Sequence, residues 1–98
     1  MKLDEIKKVV EPVCREFDVR RLDAFGSVAR GTSTDTSDLD LLVEFRNPAL
    51  HSARRFFGLL HSIQDALGCE VDLLTLGGLR NPYFIRRVLD ERVPIYEG

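Results

Sequence analysis

Ile6, Val9, Val10, Val13 and Phe17 recur at helical intervals, with Lys7, Lys8, Glu11, Arg15 and Glu16 between them. This pattern predicts an amphipathic helix with one apolar stripe. Pro12 falls inside it. A proline there removes one hydrogen bond and crowds the preceding turn, so a kink near Lys8 to Glu11, or two short helices in succession, is expected. After a turn at Asp18, Val19 to Phe25 alternates imperfectly, with Leu22, Ala24 and Phe25 as core candidates, and predicts a strand running straight into Gly26. Ser27 to Gly31 has room for a single helical turn closed by glycine. Thr32 to Ser37 reads as a polar loop, Leu39 to Phe45 as a second strand, and Arg46-Asn47-Pro48 as its end.

The second half repeats the alternation of periods. Phe56, Leu59, Leu60, Ile63, Ala66 and Leu67 share a helical face that stops at Gly68. Glu70 to Thr75 is a third strand, with Glu70 and Asp72 on one side and Val71 and Leu73 on the other. Gly77-Gly78 breaks the chain. Asn81-Pro82 then has the form of an N-cap followed by proline at the first helical position, and Phe84, Ile85, Val88 and Leu89 supply the buried face of a last helix. Val93 to Tyr96 is a candidate edge strand, where Pro94 is tolerated. The expected fold class is α/β (α+β): a small mixed sheet with helices packed against it and its acidic face open.

Length and composition narrow the function. The 98 residues suit one domain spanning 1–98, and 44% hydrophobic with 31% charged residues is ordinary for a globular chain. Fourteen Lys+Arg against 16 Asp+Glu leave a formal charge of −2, so nothing in the bulk charge favours docking on nucleic acid or an anionic membrane. No long apolar run marks a signal peptide or membrane span, and Cys14 and Cys69 form no Cys-x-x-Cys motif. A reducing cytoplasm is the expected compartment, with both thiols as small hydrophobes.

The chemistry concentrates between Phe25 and Val43. In an extended strand Asp38 and Asp40 project from the same face while Leu39, Leu41 and Val43 point into the core. Two like charges so close repel one another, an arrangement suited to holding cations, and the Gly26-Ser27 turn upstream offers backbone N–H groups suited to phosphate. Taken singly, a Gly-Ser pair is a turn and an Asp-x-Asp a solvated strand edge. Their order, together with Asp72 on a later strand, would bring three carboxylates beside a phosphate cradle. Hard divalent cations such as Mg²⁺ take a few carboxylates plus waters and substrate phosphates, which this set supplies. Glu44 and Glu70 read as solvated, Arg54 and Arg55 as exposed helix charges, and His51 and His61 as ordinary loop and helix residues. Tyr83 and Phe84 read as core packing, with a partner-facing surface as the alternative.

Gly26-Ser27-Val28-Ala29-Arg30-Gly31, then Ser37-Asp38-Leu39-Asp40-Leu41-Leu42-Val43, then Val71-Asp72-Leu73-Leu74, resembles the minimal nucleotidyltransferases (MNT) of the polymerase-β-like superfamily over nearly the whole chain. The resemblance implies that Gly26 and Ser27 hold nucleotide phosphates, that Asp38 and Asp40 bind two Mg²⁺ ions, and that Asp72 completes the metal site near the attacking hydroxyl. Arg30 is a nucleotide-binding candidate that could equally cap its turn. It further implies transfer of AMP from ATP, with release of pyrophosphate, to a hydroxyl, in some members a tyrosine of a partner HEPN-domain toxin. The chain would then be the antitoxin of a toxin–antitoxin pair. The alternative is a non-catalytic antitoxin that neutralises its toxin by stoichiometric binding. The sequence leaves the oligomeric state open.

Overall fold

The computed structural model describes residues 2–31 and 38–98, so the polar loop expected over 32–37 lies outside the described residues. The chain runs α1 (Leu3–Glu16), β1 (Val19–Phe25), α2 (Ser27–Arg30), β2 (Leu39–Phe45), α3 (Ser52–Leu67), β3 (Val71–Leu74), a short 3₁₀ turn (Leu76–Gly78), α4 (Pro82–Glu91) and β4 (Val93–Glu97). The four strands form one mixed sheet in the order β3-β2-β1-β4. β1 pairs antiparallel with β2 and β4, and β2 pairs parallel with β3. Strand β4 takes the edge, where Pro94 faces Asp23 beside a register shift and its missing N–H interrupts little.

One face of the sheet is buried under α1 and α3. Ile6, Val10 and Cys14 from α1 and Leu59 and Ile63 from α3 pack on Leu22, Ala24, Leu39, Leu41 and Val43. Pro12 does not divide α1, which is one helix of 14 residues. The proline lies on the exposed side, so the N–H it lacks is lost where water can serve the unpaired carbonyl, while burial of the apolar stripe holds the helix together. Gly68, in the left-handed conformation at φ 67°, ends α3 as its sequence position requires. Ala66, expected inside, is exposed.

The opposite face departs from expectation. It is not simply open, because α4 crosses it and Val88 packs with Phe25, Leu42 and Leu74 in a second small core. Asn81 starts α4 by accepting hydrogen bonds from the Tyr83 and Phe84 amides at 2.9 and 3.3 Å, as an N-cap should. Of the four residues expected to be its buried face, only Val88 is buried; Tyr83 beside them is 85% exposed. The ring of Phe84 still meets Phe25 edge to face, with centroids 6.3 Å apart. Arg55 also departs from its reading as an exposed helix charge. It is only 8% exposed and donates to the carbonyls of Leu50, Arg46 and Asn47 at 2.9, 2.7 and 2.6 Å. Its guanidinium also lies 4.7 Å from the Phe45 ring centroid. The buried cation thus organises the turn leaving β2 through charge-assisted hydrogen bonds. Among the described residues no helix is long and apolar enough to cross a membrane.

Candidate active site

The site lies where β1 and β2 meet the start of α2. β1 ends at Phe25, and Gly26 then takes φ 69° and ψ −147°, a conformation that turns the chain into α2 and that side-chain-bearing residues rarely adopt. Ser27 opens the single turn of α2, which Gly31 closes at φ 73°. The missing side chain of Gly26 matters beyond its backbone angles. A Cβ placed there would overlap Asp40 Oδ2 and stand 3.3 Å from Asp40 Cγ. The carboxylate of Asp40 therefore rests directly on the glycine turn.

Asp40 and Asp72 face each other as register partners on the parallel strands β2 and β3, and both side chains line the same cleft. Burial first, then the charges of Asp72 and Asp38, push the Asp40 carboxyl above its ordinary value, with Arg30 acting in the opposite sense. Two carboxylates this close repel unless a proton or a cation lies between them. Asp38 stands one residue before β2 and is exposed, acting on Asp40 through space rather than from within the strand. Among the described residues no three His, Cys, Asp or Glu side chains are gathered into a group that could by itself hold a metal ion. Asp38 is therefore not gathered with Asp40 and Asp72 as a third ligand in this geometry, and the two acids that line the cleft together are Asp40 and Asp72.

Gly26, Ser27, Arg30, Asp40 and Asp72 line one cleft of about 550 Å³, walled on its other side by Phe84, Arg87, Val88 and Glu91 of α4. Glu91 pairs with Arg30 at 3.2 Å and with Arg87 at 3.4 Å. The sequence reading missed both Arg87 and Glu91, because charges four residues apart on an exposed helix face look like solvated surface. It also missed Asp23. That carboxylate is 1% exposed, accepts from Arg21 Nε at 2.9 Å on both oxygens and has Arg92 Nη1 at 3.5 Å. Asp23 and Arg92 border a second cleft of about 530 Å³, with Leu42, Glu44, Phe56 and Leu76. An aspartate preceding Ala24-Phe25 in a strand would have been its only signal. Glu44, Glu70, Arg54, His51 and His61 are all exposed.

The sequence matches the nucleotidyltransferase domain family over residues 6–95. It is 36% identical over 95 residues to a provisionally named protein adenylyltransferase of Methanocaldococcus jannaschii, a comparison covering 97% of this chain and 99% of that one. Among solved structures, a provisionally named minimal nucleotidyltransferase superposes with a TM-score of 0.69 at 35% identity, over 96% of each chain. A chain from the complex of a tri-AMPylated Shewanella oneidensis HEPN toxin with an MNT antitoxin superposes with a TM-score of 0.64, covering 98% of this chain and 73% of that one. At 16% identity the last likeness shows the fold alone. A family match across residues 6–95, sustained at more than a third identity through relatives of the same length, means that this chain belongs to the nucleotidyltransferases, of the minimal kind.

Proposed function

We propose that the protein transfers AMP from ATP to a hydroxyl of a partner protein, a tyrosine of a HEPN toxin, and so acts as the antitoxin of a pair. The observation that carries this reading is the pairing of Asp40 with Asp72 across β2 and β3 beside the Gly26 turn, inside one cleft. The similarity to a protein adenylyltransferase and to the fold of an MNT antitoxin in complex with an AMPylated toxin supports the choice of AMP and of a protein acceptor.

In this reading the main chain of Gly26 and Ser27 receives the phosphates and Arg30 adds a guanidinium to them. Asp38, Asp40 and Asp72 would hold two Mg²⁺ ions, for which hard carboxylate oxygens are the fitting donors. The chemistry such ions would supply, when bound there, is neutralisation of the triphosphate and polarisation of the α-phosphorus. The acceptor oxygen forms a bond to that phosphorus as the bond to the pyrophosphate oxygen breaks, and its proton passes to Asp72. The remaining work of the protein is positioning.

Intact-mass spectrometry of the toxin encoded beside this protein, after incubation with the protein, ATP and Mg²⁺, tests the proposal. The toxin gains one or more AMP units with the wild type and none with Asp38→Ala/Asp40→Ala. Absence of a mass gain, with toxin neutralisation undiminished in the double variant, would instead establish antitoxicity by binding alone.

A further inference from the structure

Part of the cleft wall carries charge opposite to that of Asp40 and Asp72. Glu91 Oε2 holds Arg30 Nη1 at 3.2 Å and Glu91 Oε1 holds Arg87 Nε at 3.4 Å, and all three side chains line the cleft with Gly26 and Ser27. Arg87 is four residues from Glu91 on α4, whereas Arg30 comes from α2, 61 residues away in sequence. One carboxylate thus gathers two guanidiniums from separate elements at the rim of the glycine turn. As a structural staple this would be poor, because all three side chains are at least a quarter exposed and exposed pairs contribute little. As a recognition device it is apt. Each guanidinium has five N–H donors in a rigid fork, and Glu91 engages one nitrogen of each, fixing their direction and leaving donors for a second anion.

We propose that Arg87 is a polyphosphate-binding residue: together with Arg30, it receives the β- and γ-phosphates of a nucleoside triphosphate and so holds the pyrophosphate that leaves. This deepens the nucleotidyltransferase reading of the cleft and rests on it. Two cations beside one anion leave a net charge of about +1 at that wall, which favours ligands by their number of phosphates and is indifferent to the base.

Isothermal titration of ATP, AMP and pyrophosphate in the presence of Mg²⁺, into wild type, Arg87→Gln, Arg87→Lys and Arg86→Gln, tests this. Arg86 is a neighbouring exposed arginine on the same helix and serves as the control. Arg87→Gln weakens ATP and pyrophosphate about tenfold while AMP changes by less than about twofold. Arg87→Lys recovers part of the loss, and Arg86→Gln behaves as wild type. ATP affinity unchanged in Arg87→Gln overturns the inference, as does a parallel loss of AMP, which would mean a displaced α4. An equal loss in Arg86→Gln also overturns it, by reducing the effect to bulk charge. A folded wild type that binds no ATP removes the nucleotide reading of the cleft as well; a wild type that binds ATP no better than Arg87→Gln removes only the role of Arg87.

Discussion

Replacing Gly26 by alanine tests how the cradle and the carboxylate are built together. At φ 69° and ψ −147° a residue with a side chain is strained by about 1–3 kcal/mol. The new methyl group would also occupy the space of Asp40 Oδ2, and turning that side chain off its rotamer costs about 0.5–1.5 kcal/mol. Stiffening of the unfolded chain offsets about 0.4–1 kcal/mol. The net destabilisation centres near 2 kcal/mol, or about 10–15 °C in Tm for a domain of this size. The two costs separate in an Asp40→Ala background. There the nearest remaining contact is Asp40 Cβ at 3.6 Å, an ordinary van der Waals distance, so the side-chain cost vanishes and only the backbone strain remains. Urea denaturation of the four proteins in EDTA, followed by circular dichroism, should give a coupling of about 1 kcal/mol between the sites. Equal costs of Gly26→Ala in both backgrounds would refute the claim that Asp40 rests on the glycine, and a cost near zero would refute the strain as well. Where the methyl group does displace Asp40, transfer activity should fall by about a hundredfold, since catalytic placement tolerates little movement.

Three other perturbations follow from the same geometry. Asp40 has its folded carboxyl raised above the unfolded value by burial and by Asp72 and Asp38, so its ionisation removes stability as pH rises through the folded pKa; in EDTA, Asp40→Asn should therefore match or exceed the wild type in urea resistance at pH 7.5, with the gap narrowing toward pH 4. Loss of stability in Asp40→Asn at neutral pH would show that the carboxylate is structural. Arg55→Lys keeps the charge but cannot reach three carbonyls and stack on Phe45 together, so a loss of about 2–3 kcal/mol in denaturant titrations is expected, against almost none for the exposed Arg54→Lys. Cys14 is fully buried and burial pushes its thiol up to about 12, so a thiol reagent should modify the half-buried Cys69 in the native protein and reach Cys14 only on unfolding; equal native rates would contradict the packing of α1.

Much of the fold was legible because period and punctuation agreed. The stripe from Ile6 to Phe17, the alternation in Leu39 to Phe45, the stop at Gly68 and the Asn81-Pro82 cap each became the element they announced. Pro12 misled because a local penalty was weighed without the burial of Ile6, Val10 and Cys14 that outweighs it. For α4 the apolar positions were recognised, but a helix crossing a sheet on a narrow contact buries only Val88, and pattern alone does not reveal the width of a contact. Asp40, Asp72 and the Gly26 turn were readable from strand alternation, which fixes which side chains share a face. Asp23, Arg92 and Glu91 were not, since each has a partner brought by the tertiary fold rather than by spacing along the chain, and Arg87, whose partner Glu91 lies four residues on along the same helix, has the pattern of a solvated helix face.

The pairing of Asp40 with Asp72 across parallel strands has a consequence for how such a protein can change over time. Adjacent strands lie about 4.8 Å apart wherever they occur, so the separation of the two acids is inherited from the sheet itself, as a lattice constant is inherited from a crystal. The crossover that joins the strands, including all of α3, can drift in sequence or lengthen without retuning that distance, provided β2 and β3 keep their register. A shift of β3 by one residue would do the reverse, leaving the hydrophobic face exposed and the acid pair dissolved in one step. The pair should therefore be robust to gradual divergence around it and brittle only to slippage of a single short strand.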